Sequence, residues 1–189
     1  MKATQKNYVL KLVETAMLAA LAVVLMLVIR FPLLPSAAFL EFDMGDMPVI
    51  ISTLLFGPGA GLITLFIVSL IQALTVSASS GWVGFVMHFI ASGAYVLALG
   101  FIRKNRSSIK SLIIGVSIST IIMTILMVPL NLIFTTFFLN TSFDAVLQMI
   151  MPVILPFNLL KGIINSVVSV LVYIPLYKIL DKSHLLPTK

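Results

Sequence analysis

Apolar runs separated by short polar breaks follow one another along the whole chain. Five are plain: Tyr8–Ile29, Leu62–Thr75, Val83–Ile102, Leu112–Leu139 and Phe157–Leu180. Runs of this size approach or reach the ~20 residues that a membrane-spanning helix needs. A sixth, Met47–Phe56, is short and stops at Gly57-Pro58-Gly59, which breaks a helix and makes a turn.

Charge decides whether the short run counts. Lys and Arg collect in cytoplasmic loops of membrane proteins. Here they form three clusters: Lys2/Lys6/Lys11, Arg103/Lys104/Arg106/Lys110 and Lys178/Lys182/Lys189. An even number of crossings must separate each pair if all three face the cytoplasm. Only the short run makes the first interval even. The expected fold is therefore an all-α membrane protein. It is a six-transmembrane-helix bundle with both termini cytoplasmic and a short second helix, and residues 1–189 form one integral membrane domain. That second helix must be helped across by the segment before it or lie deep within the bundle. The outer face then carries Phe31–Gly45, the loop near Val76–Trp82 and the segment Asn140–Pro156.

Composition agrees. Of the 189 residues 60% are hydrophobic and 10% charged, against about 25% charged in a soluble domain. The net charge of +6 comes from residues at the ends of apolar runs, so topology explains it better than nucleic-acid binding, and no nucleic-acid partner is expected. There is no cysteine, hence no disulfide and no thiolate metal site. The N-terminus resembles a signal peptide, with Ser36-Ala37-Ala38 as a possible cleavage site. The run Leu12–Ile29 exceeds the ~7–15 residues of a signal core and Met1 is retained, so it is read as an uncleaved first helix.

Polar residues inside the runs point to function. Lys161 lies five residues into the last run, where a charge costs roughly 2.5–3.5 kcal/mol at the bilayer centre and less near the interface. Asn158, Lys161 and Asn165 are spaced i, i+3, i+7, which puts them on one face in the outer third of that helix. Asn131 falls in the outer part of the preceding helix, just after Pro129. Glu41, Asp43 and Asp46 lie in the first outer segment. Four parts of the chain thus bring polar groups to one depth, as an outward-facing small-molecule site requires. Two readings of Lys161 stay open: a ligand contact, or a structural bridge to Asp46 or Glu41. Asn131 alone is as easily an interhelical bond.

Other signals are weaker. Asp46, two residues before Pro48, is placed to cap the second helix. Three carboxylates without a second cluster are thin support for a metal, and no metal site is expected. Trp82 reads as an interfacial anchor that could also stack on a flat ligand. His88 reads as a hydrogen-bonded packing residue. In the first helix Ala16, Ala19, Ala20 and Ala22 crowd the inner half, with Ala16-x-x-x-Ala20 at one-turn spacing. Small residues let helices approach closely in lipid. Spacing alone slightly favours packing within the bundle over docking to another membrane protein.

Several chemistries are unsupported. No G-x-x-x-x-G-K-[ST] phosphate loop and no H-E-x-x-H occur. No nucleophile–base pairing stands out, and neither His88 nor His184 carries a catalytic signature, so no enzyme activity is expected. Glu14 is the only intramembrane carboxylate on which a proton-coupled secondary transporter of a polar-aromatic solute could rest. The residues imply a substrate site without an engine.

Three stretches carry a family resemblance: Ala16-x-x-x-Ala20 within Ala-Met-Leu-Ala-Ala-Leu-Ala, Phe42-Asp43-Met44-Gly45-Asp46-Met47-Pro48, and Phe157-Asn158-Leu159-Leu160-Lys161-Gly162. With six helices in under 200 residues, the chain resembles the substrate-binding S-components of energy-coupling factor (ECF) vitamin transporters. The last two stretches resemble the riboflavin-specific members; an S-component for another vitamin is the alternative. The resemblance implies a multi-pass protein of the bacterial cell membrane that binds riboflavin from outside with high affinity, as substrate rather than cofactor. It implies docking through the first helix, at Ala16, Ala19 and Ala20, on an ECF transmembrane coupling protein that carries two ABC ATPase subunits. It assigns the ligand to Leu40, Met44, Gly45, Asp46, Asn131, Asn158 and Lys161, with Glu41 and Asn165 beside them.

Overall fold

The computed structural model describes residues 3–104, 106 and 108–183. Lys2, His184 and Lys189 from the sequence reading lie outside the described residues. The described chain is a helical bundle: α1 (Ala3–Val28), α2 (Asp46–Phe56), α3 (Pro58–Leu74), α4 (Gly81–Arg103), α5 (Ile109–Leu139), α6 (Phe143–Met149) and α7 (Leu155–Lys182). Each plain apolar run is a helix. Four stretches are long and apolar enough to cross a membrane: Asn7–Val28, Gly81–Arg103, Ile109–Leu139 and the joined Phe143–Lys182.

α2 and α3 are the two shorter apolar helices. Eleven residues of α2 rise only about 16 Å, short of the ~30 Å hydrocarbon core. Nine of them are buried, among α1, α3, α4 and α7. The second helix therefore lies deep within the bundle, the second of the two arrangements the sequence allowed. Gly57 at φ 90° closes α2 and turns the chain into α3. Gly100 of α4 faces that turn so closely that a Cβ there would sit 2.6 Å from Pro58 Cβ.

The outer segments carry structure that the apolar pattern did not announce. Between α1 and α2, β1 (Arg30–Pro32) pairs antiparallel with β2 (Glu41–Asp43), Arg30 opposite Asp43 and Pro32 opposite Glu41. Fully buried Phe42 packs its ring 5.3 Å from Phe31. The segment after α5, read as an outer loop, is mostly helix. Asn140 ends α5 in the left-handed region at φ 48°, as a short polar side chain can. Ser142 then caps α6 by accepting from Ala145 N at 3.2 Å. α6 passes through a π turn, Ile150–Ile154, directly into α7. Pro152 cannot donate an amide hydrogen, and the wider turn falls where it stands. Val146, Ile150 and Ile154 bury themselves against Val128 and Leu132, which gives the segment reason to fold.

The main core joins α2, α4, α5 and α7 around Ile51, Tyr95, Leu99 and Leu112. A second, of Ala22, Met26, Val49, Leu65, Val68 and Val96, ties α1 to α2, α3 and α4. α7 approaches α5 at Gly162, where a Cβ would meet Thr120 Cγ2 at 2.7 Å. Polar side chains bridge at this depth: Tyr95 Oη lies 2.7 Å from Ser166 Oγ, and Thr120 Oγ1 3.2 Å from the same atom.

Candidate functional site

Asp43 anchors the site. It is 1% exposed at the end of β2, and its Oδ1 accepts from Gly45 N at 2.9 Å, which turns the chain into α2. Its Oδ2 receives Lys161 Nζ from α7 at 3.0 Å and Gln72 Nε2 from α3 at 3.4 Å. Lys161 also lies 3.6 Å from Asp46 Oδ2. Asp46 Oδ1 is 2.9 Å from His88 Nε2 on α4, and His88 Nδ1 is 3.1 Å from Ser69 Oγ on α3. Asn165 Nδ2 donates to the Asp43 carbonyl at 3.3 Å. One buried network so binds the hairpin to α3, α4 and α7.

The lysine pairs with Asp43 and Asp46, and the bridge to Asp46 is one that the sequence held open. Glu41 does not take part. It pairs with Arg30, whose Nε donates at 2.7 Å and whose Nη2 donates to the same Glu41 oxygen. Arg30 Nη2 also donates to Ser77 Oγ at 3.1 Å. Asp46 does not cap α2 through its side chain. Gly45 occupies the cap position with no side-chain bond, because the Asp46 carboxylate is drawn to His88 and Lys161. His88 is hydrogen-bonded on both nitrogens, and it also lines a cavity.

That cavity has a volume of about 160 Å³, below the ~300–1,000 Å³ usual for small-molecule sites. It opens between the hairpin, the α3–α4 turn, the N-terminal ends of α4 and α7 and the C-terminal end of α5. Leu40, Glu41, Asn131, Asn158 and Lys161 all line it. Its apolar wall is Leu40, Met87, Met123, Met127, Phe138 and Phe157; Arg30, Gln72, Ser77, Ser80, His88 and Thr135 add polar groups. Asn158 donates Nδ2 back to Ile154 O at 2.8 Å, and among the described residues nothing donates to its Oδ1. Asn131 is tied twice, donating to Met127 O at 2.7 Å and accepting from Thr135 Oγ1 at 2.8 Å.

The remaining sequence candidates lie elsewhere. Asp46 and Asn165 line a small neighbouring crevice of about 10 Å³, which shares Ser92 and Met123 with that cavity. Asn165 Oδ1 is buried there without a partner. Met44 and Gly45 line neither space. Gly45 is packed so that a Cβ would lie 3.0 Å from Asp43 Oδ1 and 3.1 Å from Met26 Cβ. Trp82 is 66% exposed and forms a T-shaped pair with Phe134. On α1, Ala16 and Ala20 are exposed, with Val13, Met17 and Val24. Ala19 and Ala22 are buried against the bundle. Among the described residues no three His, Asp or Glu side chains form a group that could hold a metal.

Gln72 and Arg30 escaped the sequence reading as site residues. Each is a lone polar group at the end of an apolar run, and the rule that singled out Lys161 could have found them. The methionines and Phe138 left no such signal, since an apolar residue in an apolar helix does not announce which neighbour it faces.

Known proteins resemble the chain in sequence and in structure. The family model described as ECF transporter, substrate-specific component, matches residues 10–173. The riboflavin transporter RibU of Lactococcus lactis subsp. cremoris is 37% identical over 113 residues, 59% of this chain and 55% of that protein. RibU of Staphylococcus aureus is 36% identical over 111 residues, 59% of this chain and 57% of that protein. The riboflavin transporter FmnP of Bacillus subtilis is 38% identical over 112 residues, 58% of each. The chain thus aligns with little more than half the length of these relatives. A solved structure described as the structure and mechanism of the S component of a bacterial ECF transporter superposes with a TM-score of 0.76 at 36% identity. It covers 90% of this chain and 96% of that one.

Proposed function

The chain belongs to the substrate-specific components of ECF transporters, and from that premise we propose that it is the riboflavin-binding subunit of such a transporter. It captures the vitamin from outside the bacterial plasma membrane with high affinity. It docks through α1 on an energy-coupling module made of a transmembrane coupling protein and two ABC ATPases.

The observation that carries this reading is the makeup of the cavity beside Lys161. Riboflavin has a flat tricyclic ring edged by carbonyl and ring-nitrogen acceptors and one imide N–H, with a tail of hydroxyls. Met87, Met123, Met127, Phe138 and Phe157 offer soft apolar and aromatic surface for ring faces. Asn158 Oδ1 is a free acceptor for the imide N–H, and Lys161 a donor for a ring carbonyl. Leu40 and Glu41 line it from the hairpin and Asn131 from α5; Asp46 and Asn165 border the neighbouring crevice. Met44 and Gly45 contribute by shaping the turn that carries Asp43 and Asp46.

The same geometry supports the orientation. α4, α5 and α7 each have one end at the cavity and the other at a basic cluster: Arg103/Lys104, Lys110 and Lys178/Lys182. Placed by the positive-inside rule, the basic ends lie in the cytoplasm and the cavity opens outside. α2 and α3 run from the cavity level at Asp46 and Gln72 to the Gly57-Pro58 turn, which packs on Gly100 of α4. They complete six crossings and leave both termini cytoplasmic, in one domain over residues 1–189.

Purified protein tests the reading directly. It should carry or take up riboflavin, with yellow absorbance and quenched flavin fluorescence. Protein that stays colourless and ignores added riboflavin at micromolar concentration would overturn the proposal.

A further inference from the structure

A hollow of about 400 Å³ lies on the flank of the bundle, between α5 and α7. The two helices approach closely where Gly162 meets Thr120. Toward their basic ends they line the hollow with short side chains, Val116 and Ser117 on one side and Ser166 and Val170 on the other, which leaves a groove. Its rims are longer aliphatics, Ile113 and Ile121 on α5 and Ile163 and Leu171 on α7, all exposed. Along α7 the lining runs from Leu159 to Leu171, about 18 Å of helix.

The floor makes little polar demand. Thr120 Oγ1 donates to Val116 O at 2.8 Å, and the Ser166 hydroxyl lies within hydrogen-bond reach of both Thr120 Oγ1 and Tyr95 Oη. Both helices are long and apolar enough to cross a membrane, so the groove faces hydrocarbon. Apolar walls alone do not hold a lipid in place, because lipid tails are as apolar as leucine. Charge supplies the difference. Lys110 stands three residues before Ile113 and seven before Ser117, and Lys178 seven after Leu171. At that helical spacing each lysine continues a groove-lining face toward the basic end. Both lysines are exposed, and among the described residues the ion pairs use Arg30, His88 and Lys161 as their cations. Basic pockets between helices on the cytoplasmic side suit anionic lipid head groups. A partner helix would have no need of the lysines, and the alanine face proposed for docking is on α1, outside the groove.

We propose that the α5–α7 groove holds an acyl chain of one anionic phospholipid, with its phosphate between Lys110 and Lys178. The orientation argued above places that lipid in the inner leaflet. The site is independent of the solute bound in the outer cavity.

Native mass spectrometry of the full chain in detergent, titrated with dioleoyl phosphatidylglycerol or dioleoyl phosphatidylcholine, would measure the affinity of the first bound lipid. A lysine near the head group is worth about five-fold, so phosphatidylglycerol should bind roughly ten- to thirty-fold more tightly. Lys110→Gln with Lys178→Gln should bring the two lipids within about three-fold of each other. Lys104→Gln with Arg106→Gln removes the same charge from the α4–α5 connection and should leave the preference within about two-fold of its original value. Ser117→Phe with Val170→Phe fills the groove and should weaken both lipids at least about five-fold, with helix content by circular dichroism showing that it is folded; the lysine pairs decide alone if it is not. No preference for phosphatidylglycerol, or an equal loss in both charge-removed pairs, would overturn the site. So would undiminished lipid binding by the folded, filled variant, and if that variant also failed to co-purify with the coupling module the groove would belong to a protein partner.

Discussion

Asn158 and Lys161 are close in sequence yet should respond differently to substitution. Asn158 holds only its own helix through Ile154 O, and that bond duplicates backbone helix structure. Asn158→Ala should weaken riboflavin binding by ~1–3 kcal/mol with little change in melting temperature, measured by titration and thermal unfolding. Lys161 faces two carboxylates, at 3.0 and 3.6 Å. Lys161→Met leaves both buried without their cation, so it should cost about 3–5 kcal/mol of stability as well as affinity. A Lys161→Met protein that melts like the unaltered one would contradict the network. Neither Arg30 nor Lys161 is a spare cation, since each already has a carboxylate partner. FMN should therefore bind more weakly than riboflavin in the same titration. The sequence made Asn131, Asn158 and Lys161 legible because a polar group in an apolar run is anomalous wherever it stands. Asp43 was visible only as one carboxylate among three. Its role follows from pairing across 118 residues, which spacing along a chain cannot specify.

At the scale of elements, α1 presents two opposed alanine faces. Ala16 and Ala20 point away from the bundle, while Ala19 and Ala22 are buried in it. Ala16→Trp or Ala20→Trp should leave flavin binding intact and abolish assembly with the coupling module, read by co-purification and by uptake. Ala19→Trp should instead damage the bundle and lower the melting temperature, because overpacking costs typically ~1–3 kcal/mol. One motif in the sequence thus resolves into a candidate docking face and a packing face. Gly162 makes a similar point for α7. Gly162→Ala forces α7 from α5 at Thr120 and should reduce both stability and riboflavin affinity, because Lys161 is its neighbour. The helices themselves were legible to within a few residues at most ends. The hairpin and α6 were not, since three-residue strands and a seven-residue helix are too short to leave a period.

At the scale of the molecule, the network around Asp43 ties the hairpin to α3 and α7. Ligand bound only by the folded state stabilises it by about 2.7 kcal/mol at a free concentration of 100 times Kd. Riboflavin should therefore raise the melting temperature in a concentration-dependent way, and Asn158→Ala should shift that dependence to higher concentration. The amino-acid sequence by itself determined that the chain is a helical membrane protein, which of its helix ends are basic, and which polar groups are out of place in lipid. Those properties are local: they depend on the solvation of each segment and the sign of its ends. Only the tertiary structure decided that Lys161 answers Asp43 rather than Glu41, that Asp46 serves His88 instead of capping α2, and that Arg30 and Gln72 share the cavity. Charge pairing in a low-dielectric interior is settled by which carboxylate comes within about 4 Å of which cation. That distance is set by the packing of helices far apart in the chain.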